Sequence, residues 1–188
     1  MIFNVMYRNK TLILISFSLY LMSFYLGYLL TPSKLFDKNV HTGVMNIDKN
    51  IQMEDENILP DPLSFITNNL KVVISSSLGF FSLGIITVIE LLLNGLYHGI
   101  FTKIAKQSTD VFTILKLTLP HGFFELPAIW IAGASGLKSP RIIIQYLRGV
   151  DISIKNEIKE FVILLSVSVL LIIIAGIIEA YITVDLVR

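Results

Sequence analysis

The sequence predicts an all-α fold, a polytopic transmembrane helical bundle of four to five spans that forms a single membrane domain over residues 1–188. Of the 188 residues, 54% are hydrophobic and only 15% are charged. The mean hydropathy is +0.73, which departs from soluble composition toward that of membrane proteins. The chain has no cysteine, which excludes disulfides and thiolate chemistry.

The first and last apolar runs are the clearest spans. Residues 11–30, TLILISFSLYLMSFYLGYLL, contain no charge and reach the roughly 20 residues that a helix needs to cross the hydrocarbon. No small-residue cleavage site follows them, so we expect a retained span rather than a signal peptide. Residues 161–183 form the last span, and the amphipathic ISIKNEIKE before it predicts a helix that begins outside the membrane.

The middle apolar region, residues 68–101, leaves two alternatives open. It is too long for a simple span and short for two standard ones. Glycines supply places to bend or to let helices approach closely. We therefore expect either one long tilted helix or two short helices broken between Gly79 and Gly84. Asp61-Pro62 is a plausible helix start leading into this region.

Residues 116–138, KLTLPHGFFELPAIWIAGASGLK, form the most unusual apolar segment. Pro120 can open a helix, and Pro127 then interrupts its hydrogen bonding, which predicts a broken or re-entrant element. Gly133 and Gly136 are expected to give it a flexible exit. If residues 68–101 form one helix the segment re-enters on one face, and if they form two it crosses, giving five spans.

Charge placement predicts the orientation, because short loops rich in Lys and Arg stay cytoplasmic. Residues 137–160 are basic and are expected to form a cytoplasmic amphipathic connector, with Arg141, Gln145 and Arg148 on one face of an interfacial helix. The segment 31–62 carries an excess of acids and is expected to be an extracytoplasmic loop. The N-terminus is then cytoplasmic, the C-terminus extracytoplasmic, and the protein a multi-pass protein of the cell membrane.

Ionisable residues inside the apolar runs are the candidate functional residues: Glu90, His121, Glu125 and Glu179. Each costs about 2.5 to 3.5 kcal/mol at the centre of a span and usually faces a bundle interior or a wet cavity. His121 and Glu125 are four residues apart and project from one helix face. They form either half of an ion, metal or proton site completed by Glu179 or Glu90, or a structural lock through a hydrogen bond. Glu90 and Asn94 are expected to make interhelical hydrogen bonds, and His98 to lie at a helix interface.

Two classes of ligand find no support in the sequence. The net charge is only +1, and no pattern of basic and aromatic residues indicates nucleic-acid binding. No Gly-rich phosphate loop is present, and no cofactor is expected.

Several segments resemble the stage II sporulation protein M family of integral membrane proteins: PHGFFELPAIWIAGASGL, the final AGIIEAYIT, NNL at 68–70 and NGLYHG at 94–99. The resemblance covers roughly residues 65–184 and implies a membrane scaffold, which in spore formers works with peptidoglycan-degrading partners. Because relatives occur in organisms that make no spores, a sporulation role is not carried over. The residues that match the family or serve as its structural motif are Asn69, Asn94, Gly95, Pro120, His121, Gly122, Glu125, Pro127, Gly133, Gly136, Glu179 and Thr183.

Three functional hypotheses follow. The first, which we favour, is a non-enzymatic membrane subunit or scaffold whose buried His and Glu groups stabilise the bundle or an assembly, as a homodimer or with other membrane or cell-envelope proteins. The second is a small transporter, channel or lipid-moving protein with an intramembrane His/Glu ion or proton site. The third is an intramembrane hydrolase with a metal at His121 and Glu125. A dry, hydrogen-bonded contact around His121 and Glu125 would favour the structural subunit, and a water-filled cavity around them would favour the transporter.

Overall fold

The structure is a computed structural model that describes residues 1–33 and 62–183. Within these ranges every regular element is helical, which confirms the all-α prediction. The predicted loop 31–62 lies almost wholly outside the described residues. The elements are α1 (Ile2–Arg8), α2 (Lys10–Leu30), α3 (Pro62–Leu78), α4 (Ile85–Ser108), α5 (Val111–Gly136), α6 (Lys138–Leu147), α7 (Ile154–Ile178) and a π-helical turn (Glu179–Thr183).

Five long helices run between the two ends of the bundle. At one end, here called the α6 end, α6 meets the turn between α3 and α4, where the Ser139 hydroxyl lies 3.5 Å from the Gly79 carbonyl oxygen. At the other, here called the Thr31 end, the Gln107 side chain of α4 donates to the Pro32 carbonyl just after α2, at 3.0 Å. Helices α2, α4 and α7 run toward the Thr31 end, and α3 and α5 run back.

Helix α5 is the central element of the bundle. Its C-terminal half is almost wholly buried, because small residues there let neighbours approach closely. Ala128 and Ala132 pack with Val73 of α3 and Ile172 of α7. Ile129 packs on the other side, against α2 and α4. The apolar core is therefore two layers of side chains on either side of α5.

Residues 68–101 form two helices, so the second alternative is confirmed. Gly84 has a φ of +82° and Leu83 a φ of 54°, a left-handed conformation that ends a helix and that glycine adopts at little cost. Gly79 lies so close to Thr87 that a side chain would not fit. The Thr87 hydroxyl donates to the Ser76 carbonyl at 2.6 Å, which fastens the start of α4 to the end of α3.

Three helices of the described chain are long and apolar enough to cross a membrane: Lys10–Leu30, Ile85–Ser108 and Ile154–Ile182. The first and third contain the spans predicted from the terminal apolar runs. Helix α3 has only 17 residues, and α5 carries the polar residues and prolines that lower its hydropathy. A total of four to five spans therefore stays a prediction.

The PHGFFELP segment is not broken, and that prediction is wrong. Both Pro120 and Pro127 lie inside the continuous helix α5, and a re-entrant course is not confirmed. A proline inside a helix costs about 3 kcal/mol, but packing against neighbouring helices offsets this cost within a bundle. Gly133 and Gly136 are also not a flexible exit, because both are buried within the last turns of α5.

The connector region contains the predicted amphipathic helix as α6, which begins at Lys138. Helix α7 begins at Ile154, in agreement with an apolar span extended by an amphipathic first part. Helix α3 is described from Pro62 onward, and Asp61 of the predicted helix start Asp61-Pro62 lies outside the described residues. The cytoplasmic location of the connector stays a prediction.

Candidate functional site

A cavity of about 510 Å³ lies among α2, α4, α5 and the π-helical turn, toward the Thr31 end. Three of the four predicted ionisable residues, His121, Glu125 and Glu179, line it. Further polar side chains line it, among them Tyr20 from α2 and His98 from α4. We call it the carboxylate cavity. Its volume falls in the range of about 300–1,000 Å³ that is common for ligand sites.

Glu125 is the buried acid of the cavity. Its side chain is on the inner face of α5, and the residue is only 9% exposed. It lies within electrostatic range of Glu179, which the π-helical turn brings to the cavity. Among residues 1–33 and 62–183, no group donates a hydrogen bond to the Glu125 carboxyl. Within these residues the structure therefore shows no hydrogen bond to Glu125 of the kind expected for a lock, and the lock stays a prediction.

Helix geometry explains why His121 and Glu125 reach the same cavity. Residues four apart lie on one face of a helix, and α5 is continuous through both of them. Gly122 also lines the cavity, and the nearest atom to a Cβ placed there would be the Thr118 methyl carbon at 3.7 Å. Space beside the two ionisable side chains is thus left open.

Tyr20 and His98 form the wall of the cavity opposite α5. The Tyr20 hydroxyl and His98 Nδ1 are hydrogen-bonded, and their rings meet edge to face with centroids 5.8 Å apart. This contact links α2 to α4, which agrees with the interface predicted for His98. Tyr20 was not among the predicted site residues, although a hydroxyl in the middle of an uncharged span requires a polar partner.

Glu90 lies elsewhere on α4 and does not line the carboxylate cavity. The Asn94 amide donates to the Glu90 carbonyl oxygen at 2.8 Å and to its carboxylate at 3.2 Å. Both bonds are within α4, so the prediction of interhelical hydrogen bonds for this pair is wrong. Their four-residue spacing makes them neighbours on their own helix.

The structural-motif residues mainly serve helix packing. Gly95 lies directly against the backbone of α2, Gly133 against a serine of α2, and Gly136 against the backbone of α3. At Gly95 and Gly136 a methyl group would collide with the backbone of the neighbouring helix and force the helices apart, and at Gly133 it would press on the Ser16 side chain. Asn69 is half-buried on α3, and Thr183 is the last residue of the π-helical turn.

No group of three His, Cys, Asp or Glu residues able to hold a metal ion is found in the described part of the chain. The two histidines and two glutamates of the cavity share its walls without converging on one point. The hypothesis of a metal-dependent hydrolase receives no support from this arrangement.

A second buried polar centre lies at the α6 end and was not predicted. Lys138 is fully buried and forms ion pairs with Glu157 and Glu160 of α7, the latter at 2.9 Å. Glu160 also accepts a hydrogen bond from the Asn9 amide at 2.9 Å and pairs with Arg8 at 3.0 Å. We call these five residues the ionic cluster. It joins the start of α2, the start of α6 and the start of α7.

The chain matches the sequence profile of a known family and resembles two known proteins. The sequence profile described as Stage II sporulation protein M matches residues 16–184. Two uncharacterized proteins of Methanocaldococcus jannaschii are similar. One is 32% identical over 179 residues, covering 93% of this chain and 94% of the relative. The other is 30% identical over 186 residues, covering 94% of this chain and 83% of the relative. No solved structure matches. The chain therefore belongs to the stage II sporulation protein M family.

Proposed function

We propose that the protein is a small non-enzymatic membrane protein that binds a proton or a small cation in the carboxylate cavity as part of ion-coupled transport. The proposal rests on the environment of Glu125. This buried side chain lines the cavity, and its carboxyl accepts no hydrogen bond from the described residues. A carboxylate used only as a structural tie would have a donor.

The carboxyl of Glu179 gives further support to the proposal. Glu125 and Glu179 are near enough to interact electrostatically, and two like charges at a poorly solvated site oppose each other. A proton on one of them, or a bound cation, removes this repulsion. The imidazoles of His98 and His121 line the same space and supply nitrogen acceptors for a proton or a hydrated cation.

A five-span topology supports access to this site. If all five long helices cross the membrane and the basic α6 end is cytoplasmic, the cavity lies in the extracytoplasmic half of the bundle. The break between α3 and α4 supports this topology. An ion then reaches Glu125 from the extracytoplasmic side.

Ion flux into proteoliposomes tests the proposal. The purified chain is reconstituted into vesicles that trap a dye sensitive to H⁺, Na⁺ or K⁺, and a gradient of the matching ion is imposed on each preparation. We expect wild-type protein to dissipate at least one gradient and Glu125→Gln to abolish that flux, because the amide neither binds a proton nor attracts a cation.

Glu90→Gln is the matched control. It removes the same charge from α4 at a position outside the cavity, so its flux should equal that of wild type. Absence of wild-type flux for all three ions, or equal loss in the two variants, would refute ion binding at the cavity as the function.

The ionic cluster favours a second candidate function, an assembly subunit or scaffold of the kind expected from the sequence resemblance. Buried Lys138 fixes three helix starts at the α6 end, which gives a rigid platform for a second copy or for another membrane or cell-envelope protein. We propose a homodimer. Light scattering of the detergent-purified protein should give the mass of two chains, and one chain at every concentration would contradict the dimer.

A further inference from the structure

A groove at the α6 end, far from the carboxylate cavity, has the features of a separate binding site. Its volume is about 660 Å³, and it lies between the N-terminal turns of α2 and the amphipathic helix α6. Arg8, Arg141 and Arg148 are among the residues that line it, and none of the described lining residues is acidic. We call it the basic groove.

The three arginines differ in how far they are already engaged. Arg8 pairs with Glu160 at 3.0 Å, and the Arg141 guanidinium donates to the Asn9 side-chain oxygen at 2.9 Å. Arg148 is exposed, and no acidic side chain of the described chain forms an ion pair with it. The groove thus has one free guanidinium and two partly engaged ones, and guanidinium groups bind phosphate oxygens with two parallel hydrogen bonds.

Another part of the groove lining, here called the apolar floor, consists of nonpolar side chains. Leu12 and Ile15 of α2 and Ile144 of α6 line it, and Ile144 is 49% exposed. A soluble phosphate gains no binding free energy from these apolar side chains, whereas lipid acyl chains that cover them remove apolar surface from water. The groove also lies at the ends of the long helices, at the level where lipid headgroups surround a membrane protein.

We propose that the basic groove binds one anionic phospholipid, with its phosphate at Arg148 and Arg141 and its acyl chains along Leu12, Ile15 and Ile144. The proposal is independent of ion binding in the carboxylate cavity, since the two sites share no residue. Charge complementarity and the apolar floor together select a lipid over a free anion.

Lipid titration of the full chain in detergent tests the proposal, with native mass spectrometry and the unfolding midpoint as readouts. Phosphatidylglycerol should bind more tightly than phosphatidylcholine of the same acyl chains and should raise the midpoint more. Arg148→Gln should weaken phosphatidylglycerol binding about fivefold, the value expected for one basic residue near an anionic headgroup. Because Arg148 is exposed, this variant should fold normally.

Two further variants distinguish lipid binding in the basic groove from a general attraction between positive charge and anionic lipid. Lys116→Gln removes one exposed charge at the Thr31 end and should leave the affinity unchanged. Ile144→Glu places a carboxylate on the apolar floor and should weaken binding. Equal binding of the two lipids, or wild-type affinity in Arg148→Gln, would overturn the proposal. Competition by soluble glycerol phosphate at the concentration of the lipid would also overturn it, in favour of a soluble phosphate ligand.

Discussion

Lys138 holds two acids in place at the α6 end of the bundle. Its ammonium group is fully buried between the carboxylates of Glu157 and Glu160. Lys138→Met keeps the volume but leaves buried Glu157 without its cation and Glu160 with Arg8 alone, and breaking a buried ion pair typically costs about 3–5 kcal/mol. We expect a much lower thermal unfolding midpoint in detergent. Lys159→Met, on the exposed face of α7, is the control, and equal midpoints for the two variants would show that the buried pairs are not stabilising.

Asp110 gives the structure a pH-dependent contact outside the apolar runs. The Thr113 hydroxyl and backbone N–H donate to its carboxylate at 2.6 and 3.0 Å and hold the pKa of Asp110 below its usual value. Because the folded pKa is lower than the unfolded one, this contact stabilises the fold above the ordinary carboxyl pKa and is lost as pH falls through the folded pKa.

The substitution Asp110→Asn tests the contribution of the Asp110 carboxyl to the pH dependence of stability. Asp110→Asn still caps α5 but carries no proton equilibrium. We expect its unfolding midpoint to fall less between pH 7 and pH 3 than the wild-type midpoint does. Identical falls for the two proteins would show that the Asp110 contact does not contribute to acid sensitivity.

At the scale of elements, the parallel pair α2 and α4 depends on the absence of side chains at their crossing. A Cβ on Gly95 would collide with the Tyr20 carbonyl oxygen and the Ser23 hydroxyl. Since the carbonyl belongs to the backbone of α2, the helices themselves must separate. Gly95→Ala should therefore lower stability by about 1–3 kcal/mol, the usual cost of overpacking, measured by thermal unfolding in detergent.

Gly122 offers the matched comparison on α5. A Cβ there meets nothing closer than the Thr118 methyl carbon at 3.7 Å, and alanine favours a helix over glycine. Gly122→Ala should leave the unfolding midpoint unchanged or raise it slightly. A fall as large as that of Gly95→Ala would mean that close approach of α2 and α4 is not what Gly95 provides.

At the scale of the whole molecule, local patterns predicted the elements but not their partners. The uncharged run 11–30 was enough to locate α2, and two glycines marked the possible break before α4. Continuity of α5 through Pro120 and Pro127 depends on packing by its neighbours, which no local pattern contains. Tyr20 and His98 are 78 residues apart, and Asn9 and Lys138 are 129 apart. Contacts between residues so far apart in the chain produce no regular spacing of residue types, so a single sequence does not reveal them.

The topology of the chain is directly measurable because the protein has no cysteine. Phe81, Phe112 and Tyr146 lie at the ends of the bundle and are 76%, 77% and 75% exposed, so a cysteine at each should react with a maleimide. If five helices cross the membrane with the α6 end in the cytoplasm, a membrane-impermeant maleimide should label Phe112→Cys in intact cells. It should label Phe81→Cys and Tyr146→Cys only after permeabilisation. Labelling of both Phe81→Cys and Phe112→Cys in intact cells would show that α4 does not cross, and labelling of Phe112→Cys only after permeabilisation would leave the carboxylate cavity without an extracytoplasmic opening.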